Sequence, residues 1–152
     1  MSIGEDINQP VFRNEKQKAT INIIYTYYWI TEKIKAILDE EDITPQQYNI
    51  LRILKGSFPV PLSTLQIRER MLDKMSDTSR IVDRLISKDL VTKKICSKDK
   101  RLVDVTITEK GKDLLEKLDK RNDEIDGVLG GLNETELFTI NKLLDKIRGA
   151  EQ

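Results

Sequence analysis

The chain has 152 residues, 38% of them hydrophobic and 34% charged, which suits one soluble globular domain and excludes a fibrous or disordered chain. No apolar run approaches the ~18 residues of a membrane span, and Met1 to Asn14 lacks the apolar core of a secretion signal, so the expected location is the cytoplasm with no membrane partner. There is no histidine and one cysteine, Cys96, so the commonest metal ligand and general base are missing, no internal disulfide is available, and no enzyme, metal or cofactor is expected.

The 26 Lys and Arg balance the 26 Asp and Glu, which by itself argues against a polyanionic partner. Their distribution is uneven. Between Leu62 and Lys112 there are 13 basic against 8 acidic residues, leaving 13 against 18 elsewhere. A basic middle with acidic flanks orients toward a polyanion, although chance clustering of surface charge produces the same count.

From about Asn14 to Leu38, Ile23, Tyr27, Ile30, Ile34 and Ile37 fall at steps of four and three, which predicts a long helix with one apolar face, widened by Ile21, Ile24, Tyr25 and Tyr28. Thr44, Pro45 and Gln47 form a cap that opens a second helix lined by Tyr48, Leu51 and Leu54. Gly56, Pro59 and Pro61 are read as its end. Ser63 and Gln66 repeat the capping arrangement before a short third helix with Leu65, Ile67, Met71 and Leu72. After a turn at Asp73 to Met75, Ser76 or Asp77 caps a fourth helix through Ile81, Val82, Leu85 and Ile86.

The period then changes. Val91 to Cys96 and Leu102 to Ile107 read as two strands joined by the charged turn Ser97 to Arg101. Thr108 caps a fifth helix carrying Leu114, Leu118, Ile125 and Leu129, which Gly130-Gly131 interrupts before Asn133 and Glu136 open a sixth with Leu137, Ile140, Leu144 and Ile147. The fold class is thus mainly α with a small β-hairpin. The wide apolar faces at both ends exceed what so small a middle can cover, which predicts a symmetric homodimer, with the core of an ordinary monomeric bundle as the alternative.

Two segments carry a family resemblance. Ser79 to Val91 resembles the recognition-helix segment of the MarR (multiple antibiotic resistance regulator) family, and Asp99 to Gly111 resembles its D-x-R wing, following strand and T-x-x-G helix start. Ser79 stands where the family often has threonine, and Asp89 where it often has glycine. Asp tolerates a left-handed helix end better than most residues. The resemblance implies one MarR-like domain over 1–152, with a winged helix-turn-helix module at 44–112 flanked by dimerisation helices at 14–39 and 113–149. It also implies a transcriptional regulator of double-stranded DNA that binds a palindromic operator as a homodimer, usually a repressor released by a small ligand. The alternative is a winged-helix interaction scaffold that does not read DNA.

In such a module the N-terminal residues of the recognition helix meet base edges, which selects Asp77, Thr78, Ser79 and Arg80, with Arg84 one turn on. An internal ion pair with Asp73, Asp77 or Asp83 is the competing role for Arg80, and Asp83 is expected to hold an arginine rather than touch DNA. On the wing, Arg101 suits a minor groove, and the resemblance implies that Asp99 orients it. Lys93, Lys94, Lys98 and Lys100 are expected phosphate contacts, joined by Ser63, Thr64 and Gln66 at the backbone.

Tyr25, Tyr27, Tyr28 and Trp29 cluster on the first long helix. Two roles are open for them: core packing, or a pocket in which Tyr25, Tyr28 and Trp29 stack on a small aromatic or amphipathic ligand. Cys96 ends the first wing strand, unlike the N-terminal cysteine of the family's peroxide sensors, so a structural or incidental thiol is expected, although Lys94 and Lys98 favour the thiolate. The run Asp39 to Asp42 reads as a solvated loop.

Overall fold

The computed structural model describes residues 1–99 and 101–149. In chain order the elements are α1 (Ile3–Asp6), α2 (Glu15–Asp39), α3 (Pro45–Ser57), α4 (Thr64–Arg70), α5 (Thr78–Ser87), β1 (Val91–Ile95), β2 (Val103–Ile107), α6 (Glu109–Asp119), α7 (Asn122–Asp126), a 3-10 turn (Gly127–Leu129) and α8 (Glu134–Ile147). The chain divides into two compact units, Met1–Lys120 and Arg121–Gln152.

Capping sets most of the helix starts. Asn14 accepts from the Gln17 amide at the head of α2, and Thr44–Gln47, Ser63–Gln66 and Asn133–Glu136 form reciprocal capping boxes at α3, α4 and α8. The same Ser-x-x-Glu spacing, Ser2 to Glu5, opens α1, a helix not anticipated above. Three other boundaries depart from expectation. α3 runs through Gly56 and stops only before Pro59. Both strands are one residue shorter at the wing tip than the alternation suggested. The long fifth helix breaks at Lys120 and Arg121, where Arg121 (φ −105°, ψ 13°) leaves the helical region although no glycine or proline marks the place.

The first unit is built round Leu38, Ile50, Leu51, Leu54, Ile67, Met71, Leu85 and Leu115, all essentially inaccessible to solvent. β1 and β2 pair antiparallel in the register Val91–Ile107, Lys93–Val105 and Ile95–Val103. Leu62 adds a bridge on the far side of β2, giving its amide to Val105 O (3.1 Å) and accepting from Val105 N (2.8 Å). This bridge ties the start of α4 to the hairpin. Opposite it, Arg52 of α3 donates to Tyr48 Oη (2.9 Å) and to Asp119 at the end of α6, with Lys55 at 3.6 Å from the same carboxylate. The Arg52 guanidinium holds the Asp119 carboxyl below its usual range.

The junction between α5 and β1 is closed tightly. Asp89 is left-handed (φ +60°), as its place at a helix end suggested, and the amides of Asp89 and Leu90 return to Ile86 O (2.9 Å) and Leu85 O (3.0 Å) in a Schellman arrangement. Thr108 donates its hydroxyl to Asp89 O (2.7 Å) and its amide to Leu90 O (3.1 Å). Gly111 lies against the same carbonyl. A Cβ there would collide with Leu90 O and come within 2.7 Å of Ile107 Cγ1.

In the second unit, no described residue is buried, and Phe138, Ile140, Leu143 and Ile147 of α8 are exposed. Among the described residues, no helix is long and apolar enough to cross a membrane.

Two substitutions test the junction. Gly111→Ala should destabilise the fold by about 1–3 kcal/mol, because the close neighbour is backbone and cannot step aside. Asp89→Gly should stabilise it by roughly 1 kcal/mol by relieving a left-handed non-glycine residue. Urea unfolding monitored by circular dichroism reads both.

Candidate nucleic-acid interface

α5 has a sharp division of faces. Thr78, Val82 and Leu85 are buried, at steps of four and three, while Ser79, Arg80, Asp83 and Arg84 are exposed. Asp77 is the cap, its Oδ1 accepting from the Arg80 amide (3.3 Å). Its carboxylate therefore stabilises the helix end that presents Ser79 and Arg80. Thr78 corrects the sequence expectation: it occupies the first helical position on the inner face, is 5% exposed, and directs its hydroxyl at Met71 Sδ (3.5 Å). A side chain held there cannot meet a base edge.

Among the described residues, neither Arg80 nor Arg84 has an ion-pair partner, so the internal pairing considered for Arg80 is not formed. Asp83 also differs from expectation. It holds Lys93 of β1 (3.1 Å) rather than an arginine, so one of the expected phosphate contacts is engaged within the chain.

At the hairpin tip the pairing of Asp99 with Arg101 is present in full. Asp99 Oδ1 accepts from the Arg101 amide (3.0 Å) and Nε (3.1 Å), and Oδ2 accepts from Nη2 (3.0 Å). The clamp leaves the Arg101 side chain 89% exposed while fixing its direction. The Arg101 side chain, and then its amide, hold the Asp99 carboxyl below its usual range, and Asp99 in turn raises the guanidinium. Lys94 and Lys98 are exposed on the same hairpin. Lys100 lies outside the described residues. Cys96 is a half-buried free thiol.

Ser63 and Gln66 spend their oxygens on the α4 capping box, which leaves the Ser63 hydroxyl proton and the Gln66 amide group to donate outward; Thr64 is half-buried. One contributor had no sequence signal. Asn49, in the middle of α3, accepts from the Leu72 amide through Oδ1 (2.9 Å) and fixes the turn between α4 and α5. A polar residue on a mostly apolar helix face shows its tertiary partner only once the fold is known.

The aromatic cluster of α2 lies on the surface of the chain. Tyr27 and Tyr28 are more than 60% exposed, Tyr25 and Trp29 about 40%, and the Tyr27 and Tyr28 rings meet edge to face at 5.3 Å. Within the first unit these four side chains are exposed rather than part of the core. A cleft of about 510 Å³ lies beside α1, lined by residues including Phe12 and Lys18. A second, of about 330 Å³, lies between Glu41, Lys88 and Lys110. Tyr25, Tyr28 and Trp29 line neither.

The MarR family model matches residues 43–103, which span α3 to the start of β2. The HTH-type transcriptional regulator MhqR of Bacillus subtilis (strain 168) is 26% identical over 131 residues, covering 86% of this chain and 89% of its own length. The HTH-type transcriptional repressor MdtR of the same organism is 32% identical over 74 residues, covering 49% of this chain and 46% of itself. A cysteine-to-serine mutant of MarR from E. coli, solved in complex with operator DNA, superposes with a TM-score of 0.79 at 21% identity, covering 90% of this chain and 98% of that one.

Over residues 43–103 the chain matches the MarR family. It is a DNA-binding transcriptional regulator of the winged-helix type, and the family is one of regulators rather than enzymes. In MarR terms, α5 is the recognition helix and the β1–β2 hairpin the wing.

The Asp99 clamp gives a pH signature. Because its carboxyl is depressed in the folded protein, the clamp is fully formed above the ordinary carboxylate range and is lost as pH falls through the lowered folded value. The Arg101 Nε–Hε resonance should hold its position from pH 7 down to about pH 5 and move only below the usual aspartate range. In Asp99→Asn it should sit at the solvent-exchanged position throughout.

Proposed function

We propose that this protein is a repressor that binds a palindromic operator in double-stranded DNA as a homodimer, in the cytoplasm, and is released by a small aromatic or amphipathic ligand. The observation that carries the reading is the three-bond clamp of Asp99 on a solvent-exposed Arg101. A lone exposed arginine samples many rotamers; a clamped one gives up that freedom before any ligand arrives, which favours entry into a narrow, strongly negative groove.

The roles follow from position. Ser79, Arg80 and Arg84 face the major groove from α5, with Asp77 holding the helix end, and Arg101 enters the adjacent minor groove. Lys94 and Lys98 meet phosphates, as does Lys93 when it leaves Asp83, and Lys100 is assigned there from the sequence alone. Ser63, Thr64 and Gln66 add backbone contacts. Residues 44–112 form the reading module, and 14–39 with 113–149 the dimerisation helices. The exposed apolar side chains of α2 and of α8, each taken in its own unit, supply surface that a second copy covers. Tyr25, Tyr28 and Trp29 offer stacking surface to a ligand, which would act by favouring a dimer whose recognition helices are not the roughly 34–36 Å apart that successive major grooves require. The name of MdtR supports repression as the mode.

The test is selection of tight-binding duplexes from a random pool, followed by salt titration of the selected sequence. A palindrome with half-sites about one helical turn apart should emerge, bound by a species of twice the chain mass in light scattering. Arg80→Ala should cost about 1–3 kcal/mol in discrimination at one base position, whereas Lys98→Ala should weaken all sequences alike and lower the salt slope by about 1 per subunit. Failure to enrich any sequence with folded protein would favour the scaffold reading.

A further inference from the structure

The turn between α4 and α5 carries two apolar side chains that the mechanism above does not use. Leu72 is 89% exposed and Met75 90%; among the described large apolar residues only Met1 is more exposed. Their exposure is built in. The Leu72 amide is held by Asn49 Oδ1 (2.9 Å), the Met75 amide by Asp73 Oδ1 (2.9 Å), and the Ser76 amide by Asp73 O (3.3 Å). The inward position that either could occupy is already filled by Met71, 1% exposed and in contact with the Thr78 hydroxyl. Neither side chain can fold back into the core.

The surroundings select the partner. Met75 stands two residues before the cap of α5, at the end of the helix that presents Ser79 and Arg80, and the turn carries exposed Arg68, Arg70 and Lys74 interleaved with exposed Glu69, Asp73 and Asp77. An apolar pair beside the end of a helix proposed to enter the major groove suits a surface that is anionic overall and apolar in spots. Duplex DNA is such a surface, and in its major groove the one apolar group is the 5-methyl of thymine.

We propose that Leu72 and Met75 form an apolar lip that packs on thymine 5-methyl groups beside the bases read by α5, making the turn a determinant of operator specificity. This rests on the DNA reading proposed above and adds the base that the turn selects.

The experiment compares the duplex chosen in the selection with the same duplex made with deoxyuridine for every thymidine, which removes the methyl groups and keeps all hydrogen bonding. The parent should bind the uracil duplex roughly fifteenfold more weakly, burial of one methyl per half-site being worth about fourfold at each. Leu72→Ala/Met75→Ala should lose most of that difference, Met75→Leu should retain it, and the salt slope should be unchanged, since an apolar contact releases no counterions. Equal binding of both duplexes by the parent, or a double-alanine variant as sensitive to the methyl groups as the parent, overturns the inference and leaves the DNA-reading proposal standing. Absence of any selected sequence overturns both.

Discussion

Between Ser87 and Val91 the chain must leave a helix, reverse and enter a strand within three residues, while α6 packs against the same turn. The left-handed Asp89 permits the reversal, Leu90 plugs into the core behind it, and the carbonyls of Asp89 and Leu90 both accept from Thr108. Gly111 lets α6 start in contact with Leu90 O. Lys110 reaches back to Lys88 O (3.0 Å), and Lys88 in turn holds Gln47 Oε1 (3.2 Å) and Asp42 O. Recognition helix, wing and the α2–α3 loop are thus fixed to one another through a few backbone atoms. A reading head made of two separate elements keeps its register on DNA only if that joint is stiff.

The charged groups of the reading face fall into two kinds. Arg80 and Arg84 carry no ion-pair partner among the described residues, so the contacts proposed for them break no internal pair. Arg101 is committed to Asp99, but through a carboxylate that orients it without hiding it. Elsewhere in the first unit, the Arg52, Lys55 and Asp119 cluster joins α3 to the end of α6.

Most of this was legible in the sequence because local chemistry and tertiary packing agree. Thr44 and Gln47, Ser63 and Gln66, and Asn133 and Glu136 cap the helices they announce, and the change from a helical to an alternating period after Leu90 marks the hairpin. The resemblance of Asp99 to Arg101 to the D-x-R wing implied the clamp that the structure shows. What was not legible depended on neighbours distant in sequence. Thr78 looked like one of several polar residues at a helix start, and only the packing of Met71 beneath it turns it inward. Asp83 chose Lys93 because strand β1 brings an amine beside it, which helix spacing alone cannot reveal. The break at Arg121 has no local signal, and the Ser2 to Glu5 capping box, which does, opens a helix too short for a periodic pattern to show.

The Asp83–Lys93 pair bears on how such a protein behaves on DNA that is not its target. A lysine in water carries mobile counterions, and their escape on meeting a phosphate drives non-specific binding. Lys93 carries instead a counterion that is covalently part of the chain and cannot diffuse away. When a phosphate takes the amine, the Asp83 carboxylate stays behind in the negative field of the duplex, and no entropy of release is gained. On the proposed reading, a lysine paired in this way adds less to binding of random sequence than an unpaired one.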